Sequence, residues 1–125
     1  MDEKNANVNE IAELGMKAAN AYLQARGCDV LERGWTCEAG EADIIAMDGE
    51  DLVFVAVKTR SGISKGFAPE ALTPASRERI ERIAACYLNE HDTPSLPVRF
   101  DVMGILIVGP DRCFIKHHVN AFGTA

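Results

Sequence analysis

The sequence predicts an α/β domain, a central mixed sheet with helices packed on it, from the element order α-β-β-β-α-β-β. Three observations carry that expectation. Two stretches, one near the N-terminus and one after Pro74, have apolar residues at helical spacing. "ADIIAMD" and "DLVFVAVK" are runs of β-branched and aliphatic residues that meet at Asp48-Gly49, a hairpin-turn dipeptide. Two more apolar runs, "VRFDVMGILIVG" and "RCFIKHH", flank a Gly109-Pro110-Asp111 turn after the second helical stretch.

Taken in order, the first helix is set over Val8 to Arg26 by Val8, Ile11, Ala12, Gly15, Ala18, Ala19, Tyr22 and Leu23, which share one face. Asn7 suits the N-cap, with Glu10 three residues on, and Gly27 suits the left-handed stop. Residues 1–7 are expected to be disordered. "CDVLERGWTC", Cys28 to Cys37, reads as a strand through Val30, Leu31 and Trp35. The hairpin follows. Thr59 to Pro74 is a glycine- and proline-bearing loop, of a length that often carries function. Thr73 then caps a helix with Pro74 at its first position and Ile80, Ile83, Ala84, Tyr87 and Leu88 as its buried stripe. No repeat, low-complexity tract or linker interrupts the chain, so residues 1–125 read as one domain.

Composition narrows the class. Hydrophobic residues make up 47% of the chain, enough for a globular core. The longest apolar runs are too short to cross a bilayer, and "MDEKNANVNE" is acidic rather than signal-like. A soluble, cytoplasmic protein is expected. Cys28, Cys37, Cys86 and Cys113 are widely spaced, with no C-x-x-C and no zinc spacing, and read as scattered, mostly buried thiols in a reducing compartment. The net charge of −6 is not that of a general nucleic-acid binder. It is uneven, however. Lys58, Arg60, Lys65, Arg77, Arg79 and Arg82 outnumber the acids of residues 57–85. They form either one basic patch or the solvated faces of a loop and a helix.

The hairpin carries the candidate chemistry. Strand side chains alternate faces, so Glu41 and Asp43 share one face of its first strand, and Ala56 and Lys58 one face of its second. A two-residue loop pairs Met47 with Glu50; a four-residue loop pairs Met47 with Leu52. Both put all four residues on one side, whereas a three-residue loop splits them. The bland alternative is an exposed face with cross-strand charge pairs. Leu52 and Phe54 share the face with Lys58, which favours a partly buried polar site.

These residues resemble a known family. "GEADIIA…LVFVAVKTRSG", with "LGMKAANAYLQARGCDVLERGW", "APEALTPASRERIERIAACYL", "VRFDVMGI" and the closing "NAF", is similar to the YraN-like uncharacterised bacterial family over nearly the whole chain. That family belongs to the restriction-endonuclease-like superfamily of PD-(D/E)xK nucleases, which includes Holliday-junction resolvases. The resemblance implies an α-βββ-α-β core with a central mixed sheet flanked by helices. It matches Asp43 to the superfamily's first acid and Lys58 to its lysine, as catalytic residues. It also implies Mg²⁺ or Mn²⁺ held by Asp43 and the Val57 carbonyl, and DNA, including branched DNA, as the partner; Glu41 joins the metal and catalytic set where it turns inward. Lys58 would orient or deprotonate the attacking water and offset charge on the scissile phosphate. Arg60, Lys65, Arg77 and Arg82 would contact phosphates.

The chain departs from the family pattern at polar positions. Val55-Ala56-Val57-Lys58 stands where the family usually has V-E-V-K, Gly15-Met16 where it has G-E, and Ser76 where it has a basic residue. Losing about 3 kcal/mol of net metal binding with one carboxylate weakens affinity about a hundredfold. The expectation is therefore a nuclease-fold nucleic-acid-binding protein with an eroded metal site, weakly binding Mg or Mn and weak or inactive as a phosphodiesterase. Two alternatives stand beside it: an active metal-dependent endonuclease using Asp43, Glu41 and Lys58, and a protein-interaction module that retains only the fold. Arg99 and Asp101 share a strand face, as a structural ion pair or as an edge of the site. His117 and His118 are adjacent and so face opposite ways.

Overall fold

A computed structural model describes residues 3–62, 72–93 and 95–121, with side chains from residue 9 onward. The elements are α1 Glu3–Ala25, β1 Asp29–Cys37, β2 Gly40–Asp48, β3 Asp51–Ser61, α2 Pro74–Glu90, β4 Val98–Gly109 and β5 Arg112–His118. They form a five-stranded sheet in the order β1-β2-β3-β4-β5. β3 and β4 are parallel, and every other neighbouring pair is antiparallel. A parallel pair needs a crossover connection, and α2 lies within it. The arrangement is the α-βββ-α-β core of the restriction-endonuclease-like fold, with β5 added along β4.

β3 is the middle strand, and both its faces are covered. Leu52 and Phe54 pack with Ile45, Phe100 and Val102 under Ile83, Ala84 and Tyr87 of α2. Val53 and Val55 pack with Ile44, Ala46, Met103 and Ile105 under Ala19 and Leu23 of α1. Cover on both sides explains why "LVFVAV" is continuously apolar instead of alternating.

α1 begins at Glu3, earlier than the Val8 start drawn from its apolar stripe, so Asn7 lies inside the helix rather than at its cap. The stripe marks only the turns that pack on the sheet. Its end matches expectation: Gly27 has φ +97°, its N–H bonds Gln24 O at 3.0 Å, and the Cys28 N–H bonds Leu23 O at 2.9 Å. These two bonds form a Schellman stop. Gly15, mid-helix, lies so close to β3 that a Cβ there would collide with the Thr59 side chain. Close packing at that point offsets the roughly 1 kcal/mol helix penalty of glycine. α2 starts where its cap sequence places it, with Thr73 Oγ1 accepting the Ser76 N–H at 3.1 Å.

The hairpin turns at Gly49-Glu50. Asp48 pairs with Asp51 and Met47 with Leu52, the register of the longer of the two loops considered. Pairing continues to Ile44 and Val55. Carried one and three positions further, the same register sets Asp43 across from Ala56 and Glu41 across from Lys58.

Candidate functional site

Asp43 lies two residues from Ile45, and Ala56 two residues from Phe54, so both face α2. Beyond Val55 the regular ladder stops, and the Val57 N–H donates to Asp43 Oδ2 at 2.8 Å. A carboxylate thus takes the place of a backbone carbonyl. A strand residue turns its N–H and C=O toward the same neighbour, so the Val57 carbonyl faces the same opening.

Above this opening is a small cavity of about 30 Å³, lined by Glu41, Ala42, Asp43, Phe54, Val55 and Ala56 from the sheet and by Ile80 and Ile83 from α2. It has room for about one water molecule. Ala56 is half-buried and packs its methyl on the α2-side core. Asp43 is half-buried; burial is the main cause that pushes its carboxyl above the ordinary range. The Val57 hydrogen bond opposes that shift, and the negative charge of Glu41 adds to it. Glu41 itself is exposed, and its Oε2 lies 3.1 Å from where a Cβ on Gly34 would stand. Its carboxylate therefore rests over β1.

Asp43, Glu41, Val57 and Lys58 are brought to one end of the hairpin. Lys58 is half-buried and, among the described residues, makes no ion pair with either carboxylate. No group of three or more His, Cys, Asp or Glu side chains able to hold a metal is present among the described residues. Of the basic residues, Arg60 is exposed near the end of β3, and Arg77 is exposed in the first turns of α2. Arg82 is exposed and pairs with Glu78 at 3.7 Å. Lys65 lies outside the described residues.

Two features escaped the sequence reading. Gly40, at φ +142°, lies against Arg79: a Cβ there would be 3.3 Å from Arg79 Cδ. The Arg79 guanidinium reaches back to Ser76 Oγ at 3.4 Å. A cation thus stands beside Ser76, on the helix that walls the cavity. Its only sequence signal was membership of the basic segment. Ile80 and Ile83 also serve as cavity wall, which a helical stripe alone does not distinguish from core.

Arg99 and Asp101 are on the other face. Asp101 pairs with Val55 and precedes Met103 and Ile105, which pack under α1. Asp101 is 1% exposed and accepts from Arg99 Nε and Nη2 at 3.0 Å each, from His117 Nε2 at 2.7 Å and from the Asn120 N–H at 2.9 Å. Arg99 also bonds Asp48 at 2.9 Å and Asp51 at 3.4 Å. The cluster ties the hairpin turn, β4 and the end of β5 together and forms no edge of the Asp43 cavity.

No helix among the described residues is long and apolar enough to cross a membrane. Residues 15–105 match the model of the family described as "Uncharacterised protein family UPF0102". A UPF0102 protein of Beutenbergia cavernae is 42% identical over 107 residues, covering 86% of this chain and 91% of that protein. One of Frankia casuarinae is 45% identical over 114 residues, covering 90% and 95%. One of Geobacter sulfurreducens is 39% identical over 111 residues, covering 89% and 87%. With matches of this identity and extent, and with the fold its motifs implied, the chain belongs to the uncharacterised protein family UPF0102, the YraN-like family.

Proposed function

We propose that this protein binds nucleic acid on a nuclease fold whose metal site is reduced, and that it is weak or inactive as a phosphodiesterase. The observation that carries the reading is Asp43: a half-buried carboxylate with one hydrogen-bond donor among the described residues, beside a small cavity, across from a methyl group. A buried carboxylate without a counter-charge is unfavourable, and a divalent cation is one way to supply that charge.

The donor set fits a loosely held cation. Mg²⁺ keeps several waters and takes one or two carboxylates, which Asp43 and Glu41 can offer together with the Val57 carbonyl. Ala56 offers nothing, and Glu41 rests over Gly34. When bound, Mg²⁺ or Mn²⁺ would polarise a phosphoryl oxygen and acidify a bound water. Lys58 would offset negative charge on a phosphate near Asp43. Arg60, Arg77 and Arg82, with Lys65, would hold the flanking phosphates and give no base specificity.

Titrating labelled linear and branched DNA onto the protein at low and moderate salt tests the binding claim. Expected is measurable affinity that falls steeply with salt, because each neutralised phosphate releases counterions. A triple change of Arg60, Arg77 and Arg82 to Ala should flatten that slope. Absence of binding at low salt would contradict the reading and favour the protein-interaction alternative, which the net charge of −6 supports. Mn²⁺-dependent nicking lost in both Asp43→Asn and Lys58→Ala would instead establish an active endonuclease.

A further inference from the structure

The end of β1 and the turn into β2 run alongside α2, and their contacts advance in step. Trp35 packs edge-on against Tyr87, ring centroids 5.0 Å apart, and reaches His91. Gly40 lies against Arg79 and Ile83. Between these points, Glu38 and Ala39 line one groove with Arg82, Ala85 and Cys86. Cys37 falls in this series opposite Cys86 and packs against the cluster that contains Ile83, Ala84 and Tyr87. The Cys37 thiol is the main cause that pushes the Cys86 thiol up, as its place opposite Cys86 in this series requires. Both are half-exposed and unbonded. Cys28 is buried in the α1-side core, and Cys113 is exposed on β5. The expectation of scattered, mostly buried thiols is thus corrected: of the four cysteines Cys28 alone is buried, and the fold brings Cys37 and Cys86 together.

We propose that Cys37 and Cys86 form a reversible dithiol–disulfide pair, a redox-modification site that accepts a low-molecular-weight disulfide and ties the β1–β2 turn to α2. One cysteine, as thiolate, attacks a sulfur of oxidised glutathione. A protein–glutathione bond forms, the glutathione disulfide breaks, and one reduced glutathione leaves. The second cysteine attacks the protein sulfur of that mixed disulfide and displaces the other glutathione. Two protein thiols are oxidised, one glutathione disulfide is reduced to two thiols, and the two protons end on the released glutathiones. The bond would close a loop containing β2 and β3 and so fix α2 against the strand that carries Glu41 and Asp43. The proposal does not depend on any nucleic-acid or metal activity.

The test equilibrates the folded full chain with mixtures of reduced and oxidised glutathione, then traps remaining thiols by alkylation. Intact mass and peptide mapping under non-reducing conditions locate the bonds, and thermal unfolding is read on the same samples. The Cys28→Ser/Cys113→Ser variant and a denatured sample are run in parallel. Expected is a Cys37–Cys86 linkage with no glutathione retained, present in that variant and absent in Cys86→Ser. Folding should speed linkage at least about tenfold over the denatured chain, since it raises the effective concentration of the two thiols. The oxidised form should melt on the order of 10 °C higher. Glutathione retained on both cysteines, a linkage mapping elsewhere, or no acceleration by folding would overturn the proposal.

Discussion

Asp43 and Asp101 are two carboxylates on opposite faces of one sheet, and the structure treats them in opposite ways. Asp101 is the more buried, and burial alone would raise its pKa. Hydrogen bonds from His117, Arg99 and the Asn120 N–H together outweigh burial and hold it below the ordinary range. Asp43 has, among the described residues, one donor, the Val57 N–H, and a second negative charge nearby, so it is held above that range. Burial acts in the same direction on both. The number and charge of the donors decide the outcome. A saturated carboxylate is a structural tie, whereas one with unmet acceptor capacity in a cavity is where a ligand has something to gain.

The largest expected effect comes from breaking the saturated side. Asp101→Asn removes the charge that faces Arg99 and His117, and unfolding in urea should show a loss of about 3 kcal/mol. A loss under about 1 kcal/mol would mean that Arg99 is held well enough by Asp48 and Asp51 alone.

A smaller effect sharpens the count of donors. His117 is almost fully buried, donates through Nε2, and leaves Nδ1 without a partner among the described residues. His117→Ala should lower stability by roughly 1–3 kcal/mol. It should also raise the Asp101 carboxyl toward the range of Asp43. The sign follows from linkage. With its folded pKa depressed, Asp101 contributes stability that is fully present above the unfolded carboxylate value and is lost as pH falls through the folded one. In His117→Ala the share of the acid limb that Asp101 contributes should therefore shrink and end at higher pH. An acid limb identical to the unsubstituted protein's would remove His117 from the account of Asp101.

The smallest effect has the opposite sign. Asp43, with its pKa raised, favours the fold when protonated, and stability declines as pH rises from the unfolded value through the folded one. Asp43→Asn keeps an oxygen for the Val57 N–H and discards the buried charge. It should raise stability at neutral pH by about 0.5–1 kcal/mol, the pattern of a residue retained for function. Destabilisation at neutral pH would show that the charge itself holds the hairpin together.

The contrast was only half legible in the sequence. Strand alternation put Glu41, Asp43, Ala56 and Lys58 on one face, because register follows from local pattern and turn length. The same reasoning paired Arg99 with Asp101, two residues apart. It could not find Asp48, Asp51, His117 or Asn120 as their partners, since those contacts exist only after the sheet assembles. Cys37 and Cys86 illustrate the same limit: no local spacing records that a turn lies along a helix. Arg79 beside Gly40 was hidden too, because an arginine in a charged helix face has no distinguishing pattern until its neighbour lacks a Cβ. The start of α1 was misplaced because apolar periodicity reports packing rather than helix length.

The decisive measurement is a Mn²⁺ titration by calorimetry of the unsubstituted protein, Ala56→Glu and Asp43→Asn, with the fold of each checked by circular dichroism. If the methyl of Ala56 stands where a metal-binding carboxylate would complete the set, binding should be weak in the first and about a hundredfold tighter in the second, the equivalent of roughly 3 kcal/mol. It should be undetectable in the third. Equal affinity in the unsubstituted protein and Ala56→Glu, or binding that survives Asp43→Asn, would contradict a metal centre at this end of the hairpin.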